Sequence, residues 1–337
     1  MRERIETMIT KETARERSRL ITKVREFFLG RDYVELDTPL LSPAPIPESC
    51  LEVFETEYKN PFFGSRKLWL LPSPEMWIKQ FIARERCSVF ELCKAFRNAE
   101  SIGPIHSPEF TMLEYYTVDA DAADSVGITE ALFDVCAGKG TPRENLPPFR
   151  IMTMREAWLE TTGLDLLQLQ DSGALYEALA GKGLMVSADS TWEDLFNQGF
   201  VQWVEPELPG DRPLVLKEYP AQIECLAAEI PGTPWKDRWE LYAHGIELLN
   251  CYTEAATCEA VLASMQKEAV KKSGQLVPHA VDFSYAEVFE DFPRCSGVAM
   301  GFERFVMAMT GSYDMRNMQS FAYMHDWLEE RQHGERG

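Results

Sequence analysis

Apolar runs of strand length dominate the part of this chain that carries its charged and aromatic motifs, and helical spacing flanks them. No regular strand–helix–strand alternation connects these runs. That pattern argues against a doubly wound parallel sheet and predicts an α+β fold, with an antiparallel sheet flanked by helices. Residues 89–96 and 110–118 read as neighbouring strands joined by a polar loop. Residues 68–71, 214–219, 239–243 and 246–250 read as further strands, and 297–301 as a strand running into a helix near 302–309.

Helix signals surround this set. From about residue 10 to 30, Leu20, Val24, Phe27 and Phe28 share one face, and Gly30 suits the left-handed position that ends a helix. Residues 33–37 alternate as a strand that stops at Thr38-Pro39, and Pro43, Pro45 and Pro47 mark a loop. Ser73 is placed to cap a helix with Pro74 in its first position, followed by an apolar stripe of Trp77, Ile78, Phe81 and Ile82. Residues 140–205 read as helical and less tied to chemistry, with a capping box at Ser190-Thr191-Trp192-Glu193. A last long helix is expected from about Ala256 to Ser273, ended by Gly274.

Composition bounds the function. At 337 residues, 45% hydrophobic and 26% charged, the chain is expected to be a soluble globular protein. No apolar run approaches the ~20 residues needed to span a bilayer. Met1–Glu6 carries mixed charge and no apolar segment, so a cytoplasmic location is expected. The eight cysteines form no C-x-x-C pair and read as reduced core thiols, rather than zinc ligands or disulfides. A formal charge of −20, with no basic run longer than two residues, argues against broad nucleic-acid binding.

Four groups of residues could carry chemistry. Phe96-Arg97-Asn98-Ala99-Glu100 closes one strand and His106-Ser107-Pro108-Glu109-Phe110 opens the next, so the hairpin presents an arginine, a histidine and an aromatic ring to one ligand. Arginine's fork suits a phosphate, and a phenylalanine face can stack on a base. Gly297-Val298-Ala299-Met300-Gly301-Phe302-Glu303-Arg304 places small residues at alternate strand positions before an arginine at a helix start. Glu240 and Glu247, with Asn250 close by, have the oxygen chemistry of a hard-cation site. Glu75, Glu114 and Glu254 lie beside apolar segments, where each could receive an ammonium. Each group alone also has a bland reading as a surface arginine, a core aromatic, a close-packed strand or a solvated acid.

Taken in order, these segments resemble the catalytic core of the class II aminoacyl-tRNA synthetases, in its lysyl branch, over about residues 13–325. Residues 33–39 resemble the first motif, 96–100 with 106–116 the second, and 297–304 the third. Phe-Thr-Met-Leu-Glu at 110–114 and Gly-Ile-Glu-Leu-Leu-Asn at 245–250 are lysyl-like. The resemblance implies a single catalytic domain over 1–337, a homodimer built on the first motif, and ATP and Mg2+ as cofactors. It implies that Arg97 and Arg304 act in catalysis. Arg97 would grip the α-phosphate, Phe110 stack on adenine, and His106 and Arg304 hold the outer phosphates, with Glu100 also at the nucleotide. Glu240 and Glu247 would bind the metal. Glu75 would take the substrate's backbone amino group, and Asn250 would lie near its carboxylate. Glu114, Tyr116 and Glu254 would surround the side-chain ammonium, and Ala299 would shape the pocket. The substrate carboxylate would attack ATP to form an aminoacyl-adenylate.

The full lysyl enzymes carry an anticodon-reading domain ahead of the first motif, and this sequence has only one helix there. The expectation is therefore a stand-alone core, similar to those that attach (R)-β-lysine to a lysine side chain of translation elongation factor P. Arg294-Cys295-Ser296-Gly297-Val298-Ala299 is similar to that branch, with Ala299 where tRNA-charging relatives usually have glycine. Departures from the family pattern are Ala99 in place of an acid, Pro104-Ile105 in place of a basic residue ahead of His106, and Cys251 in place of glycine. Two other readings stay open at this stage: a truncated tRNA-charging or amino-acid-amidating enzyme, and a non-catalytic regulatory paralogue.

Overall fold

A computed structural model describes residues 8–255 and 257–334. Met1–Glu6 and Ala256, on which two of the sequence expectations rest, lie outside the described residues. Helix α1 (Lys11–Leu29) opens where the Thr10 hydroxyl accepts the Thr13 N–H at 3.1 Å, and it buries Leu20, Val24, Phe27 and Phe28 as their spacing predicts. Gly30 corrects the expectation placed on it. Its backbone is right-handed at φ −67°, and the left-handed residue is Asp32 at φ 63°. Glycine fits there for room, since a Cβ would lie 2.9 Å from the Glu26 carbonyl oxygen.

The chain continues through β1 (Val34–Glu35), then β2 (Leu41–Ser42), β3 (Phe54–Asn60) and β4 (Gly64–Leu70). Next come α2 (Glu75–Glu85), β5 (Val89–Phe96), β6 (Glu109–Val118) and α3 (Ala122–Cys136). The middle holds β7 (Arg150–Thr153), α4 (Met154–Thr162), α5 (Ser172–Gly181) and α6 (Trp192–Gly199). The remainder is β8 (Leu214–Pro220), β9 (Trp235–Ala243), β10 (Ile246–Thr253), α7 (Cys258–Lys272), β11 (Cys295–Gly301), α8 (Phe302–Thr310) and α9 (Tyr323–Gly334).

Eight strands form the main sheet in the order β1-β5-β6-β11-β10-β9-β8-β7, and β2-β4-β3 form a second sheet. The strands from β5 across to β8 pair antiparallel, as expected; β1 and β7 add parallel edges. Several local expectations are corrected. The strand read at 33–37 pairs only through Val34 and Glu35, and β7 lies inside the segment read as helical. The run 68–71 is a strand as read, through Leu70, and it lies in the smaller sheet with Trp69 and Leu71 buried. The capping box of α6 is Thr191 with Asp194, one residue later than read, because the Asp194 carboxylate reaches back to the Thr191 N–H. Helix α2 begins one residue after the expected position, at Glu75, although the Ser73 hydroxyl still accepts its N–H at 3.0 Å.

One face of the main sheet packs on α1, α3 and α8, joining Phe90, Leu113, Tyr115, Leu249, Val298 and Met300 to Leu20, Phe28, Phe133 and Phe305. Helices α4–α6 build a second core, with Trp158, Leu179 and Phe196 against Leu214, Leu216 and Tyr242. All eight cysteines are free, but only Cys136, Cys251 and Cys295 are buried, so the core-thiol reading holds for those alone. Among the described residues no helix is long and apolar enough to cross a membrane.

Candidate active site

The other face of the sheet carries the polar residues, and its register explains how they meet. Glu91 pairs with Glu114, Glu114 with Ala299, Ala299 with Asn250, and Asn250 with Glu240, so these residues form one row across five strands. A second row runs from Tyr116 through Gly297 to Tyr252 and Arg238. In a regular strand Glu247 and Asn250 would face opposite sides, being three residues apart. A β-bulge between Glu247 and Leu249 resets the phase, so Glu247 pairs with Tyr242 and joins Glu240 and Asn250 on the polar face.

Above these rows lies a cleft in two connected parts. The inner part is lined by Ser73, Glu75, Glu114, Tyr116 and Tyr252, together with Glu48 from the proline-rich loop. The outer part is lined by Glu100, His106, Phe110, Glu247 and Arg304. Arg97, Met112, Asn250 and Ala299 line both. Glu240 and Glu254 line neither part, and stand behind the wall with charged partners of their own.

In the outer part the hairpin delivers its three residues to one space. The Arg97 guanidinium lies over the Phe110 ring at 5.1 Å, and its Nε is buried with no hydrogen-bond partner, an unmet donor suited to an anion. Arg304 donates from Nη1 to the Glu247 carbonyl at 2.7 Å and from Nε to the Ile105 carbonyl at 3.1 Å, tying the helix α8 start to both cleft walls. Burial, then the nearby Arg304, holds the His106 imidazole below its ordinary value, so near neutrality it is an uncharged donor–acceptor. Glu100 accepts the Ser101 N–H at 3.0 Å, and Ala99 stands in the left-handed region at φ 54°.

The two acids expected to bind a metal lie on neighbouring strands, β9 and β10. Burial, then the facing Glu240, pushes Glu247 up to about 7, against the pull of Arg304 and Arg238. Glu240 accepts from Arg238 at 2.6 Å and from the Tyr242 hydroxyl at 2.9 Å, and each carboxylate oxygen retains a further lone pair. Among the described residues no group of three or more His, Cys, Asp or Glu side chains is placed to hold a metal ion. The oxygen chemistry of Glu247 and the Asn250 amide, which do line the cleft, suits a hard cation, whereas Glu240 is held by Arg238 behind the wall.

The inner part is an acidic pocket. Glu114 is buried, accepts from the Ser73 hydroxyl at 2.5 Å and the Tyr116 hydroxyl at 3.1 Å, and is pushed up to about 8 by burial and then by Glu75. Burial also pushes Glu254 up to about 7, and burial followed by Glu75 does the same to Glu48. Sequence reasoning missed the partner of this cluster. Lys79 is wholly buried, and its Nζ lies 2.5 Å from Glu75 Oε1 and 2.6 Å from Glu254 Oε2. The available signal was a lysine beside the apolar stripe of α2, one helical turn after Glu75. Glu48 and Arg238 were missed too, with nothing in their local sequence to mark them, and Ser73 was read only as a helix cap.

Gly297 is also reassigned. A Cβ there would lie 2.4 Å from the Tyr116 ring and 3.0 Å from Glu254 Oε1. Its small size admits the pocket's own side chains rather than a ligand. Gly301 is open by comparison, the nearest atoms to a Cβ there being those of the Arg304 side chain at 3.6 Å and beyond.

An antiparallel sheet with a phosphate-suited arginine on its hairpin, and a glycine-bounded strand feeding a second arginine, has the architecture of a class II synthetase-type ligase. The chain belongs to the family of tRNA synthetases class II (D, K and N), which it matches over residues 4–325. It is 32% identical over 296 residues to an elongation factor P–(R)-β-lysine ligase homologue of Aquifex aeolicus, covering 88% of this chain and 94% of that protein. It is 31% identical over 319 residues to the elongation factor P–(R)-β-lysine ligase of Vibrio vulnificus, covering 93% and 96%. The ligase of that name from Haemophilus influenzae is 29% identical over 310 residues, covering 91% and 93%.

Proposed function

We propose that this protein activates lysine or (R)-β-lysine with ATP and transfers it to a lysine side chain of translation elongation factor P. The observation that carries the reading is the junction of the cleft. A pocket rich in carboxylates meets an arginine-bearing one at Arg97, Asn250 and Ala299. A substrate with two ammonium groups and one carboxylate matches that polarity, whereas aspartate or asparagine would leave buried acids unpaired. The named relatives support the acceptor.

In this reading Phe110 stacks on adenine, and Arg97 binds the α-phosphate. His106 and Arg304 contact the outer phosphates, with Glu100 at the rim. Glu75 receives the amino group next to the carboxylate, Asn250 orients that carboxylate, and Glu114 with Tyr116 receives the distal ammonium. Glu254 acts from behind, through charge, and the Ala299 methyl sets the space between the two parts. Glu240 and Glu247 would hold Mg2+, which neutralises phosphate charge when bound.

A carboxylate oxygen of the substrate attacks the α-phosphorus, the bond to pyrophosphate breaks, and an aminoacyl-adenylate forms. The acceptor amine then attacks the carbonyl carbon; the bond to AMP breaks, an amide forms, and the amine gives up a proton. Arg97 and Arg304 stabilise the charge that develops at phosphorus, and the site otherwise positions the reactants.

The proposal extends to a single catalytic domain and a cytoplasmic homodimer. Free thiols throughout suit a reducing compartment, and the exposed Leu29, Val34, Leu40 and Leu41 give the first-motif region an apolar edge. ATP–pyrophosphate exchange tests the reading. Exchange is expected with lysine or (R)-β-lysine and not with aspartate or asparagine, followed by stable acylation of elongation factor P. Absence of exchange with every cationic amino acid would overturn it, and acylation of tRNA instead of protein would move the acceptor.

A further inference from the structure

The wall of the inner cleft holds a charge that the chemistry of activation does not require. Lys79 is fully buried on α2, and besides Glu75 and Glu254 its Nζ has the rings of Tyr252, Phe289 and Tyr116 at 5.4, 5.9 and 6.0 Å. Burying an ammonium is costly unless opposite charge compensates it. Here burial opposes the charge, but Glu254 and Glu75 outweigh it and hold the ammonium well above its ordinary value. The position is therefore a permanent cation.

Most elements around Lys79 present acids or phenols to it, and β11 presents the Cys295 thiol. Glu75 comes from α2, Glu114 and Tyr116 from β6, Tyr252 and Glu254 from β10 and the residue following it, Tyr285 from the short helix Phe283–Phe289, and Glu48 from the proline-rich loop. Four carboxylates this close cannot all stay ionised in a low-dielectric pocket without a fixed positive charge. The pull of Lys79 opposes the rise at Glu48, Glu114 and Glu254 alike. A protonated acid is a poor partner for a substrate ammonium, so whatever keeps these acids charged also governs binding.

We propose that Lys79 is a positioning residue whose buried ammonium fixes the Glu75 and Glu254 carboxylates in place before the substrate arrives and opposes the protonation of Glu254 and Glu114, so that a diamino substrate has fewer protons to expel from the pocket. Lys79 touches neither nucleotide nor reacting atoms and acts through the two glutamates. The inference rests on the diamino-acid reading of the pocket.

The test is the pH profile of kcat/KM for amino-acid-dependent ATP–pyrophosphate exchange in Lys79→Gln and Lys79→Arg. Losing the charge raises the carboxylate pKa values, so the acidic limb for Lys79→Gln moves up by about one pH unit or more. Its activity approaches that of the wild type near pH 9, while Lys79→Arg keeps the limb close to its original place. A purely structural role would lower kcat/KM by one factor at every pH with no displacement of the limb, and that result overturns the proposal. If Lys79→Gln does not fold, calorimetry of lysine binding to the wild type at pH 8, in buffers of different ionisation heat, decides the matter. Release of no more than about one proton is expected, because only Glu114 then keeps a substantial share of its proton. Release of about two or more would show that Lys79 does not hold the acids ionised. Failure of wild-type exchange with any cationic amino acid overturns the underlying reading instead, so the two failures are distinguishable.

Discussion

Replacing Glu114 by Gln separates binding from stability in opposite directions. In the free protein Glu114 sits buried at about 8, so near pH 7 most molecules carry it protonated. A substrate ammonium must displace that proton, which costs about 1.4 kcal/mol at pH 7 for one unit of pKa. Removing the acidic partner of a buried pair costs about 3–5 kcal/mol. The difference, about 1.6–3.6 kcal/mol, is a loss of roughly 15- to 400-fold in kcat/KM for the cationic amino acid at pH 7. At pH 9 the wild type no longer incurs the displacement cost, and the gap widens about tenfold.

Stability runs the other way. A carboxyl whose folded value is raised from 4.5 to about 8 contributes stability that is complete below 4.5 and lost as pH climbs through 8. That loss is on the order of 5 kcal/mol for the isolated group. Glutamine does not ionise and escapes it, although a buried amide N–H without a partner returns about 1–3 kcal/mol of the gain. The ligand-free variant should therefore melt higher than the wild type at pH 8, with the advantage gone below pH 5. Exchange assays from pH 6 to 9, paired with melting curves over a range extended to pH 4.5, measure both effects. A variant that melts lower at pH 8 and keeps its kcat/KM would refute the assignment of Glu114 to the substrate ammonium and the physical reasoning behind it.

Two further substitutions probe the outer cleft. Arg97→Ala should lower kcat for exchange by about 100- to 1000-fold, the scale of losing one donor to a developing charge, and a loss confined to KM would show uniform binding instead. Glu247→Ala should abolish exchange, at least about 100-fold, while circular dichroism shows the fold intact. Near-normal activity would show that the metal is not held there.

How much of this was legible beforehand depends on the distance over which the deciding contacts act. Local periodicity determined the helices and strands, because a face such as Leu20, Val24, Phe27 and Phe28 is set by 3.6-residue spacing alone. The order of the motifs determined the family, and the grouping of Arg97, His106 and Phe110 was readable because consecutive antiparallel strands bring both ends of their connecting loop to one end of the sheet. Boundaries slipped by a residue at Ser190 and Gly30, where a single side-chain hydrogen bond or a close carbonyl chooses the end of the element.

Only the tertiary structure decided the phase and the charge of the site. Glu247 and Asn250 share a face because a bulge inserts Leu248 into the strand, and a sequence read with period two puts them on opposite sides. Lys79 meets Glu254 across 175 residues of chain, and no local pattern marks that pairing. Register and long-range electrostatics are properties of the assembled sheet. The sequence by itself thus determined which residues could form the cleft of a class II ligase, and folding decided which of its carboxylates stand free for a ligand and which already have an internal cation.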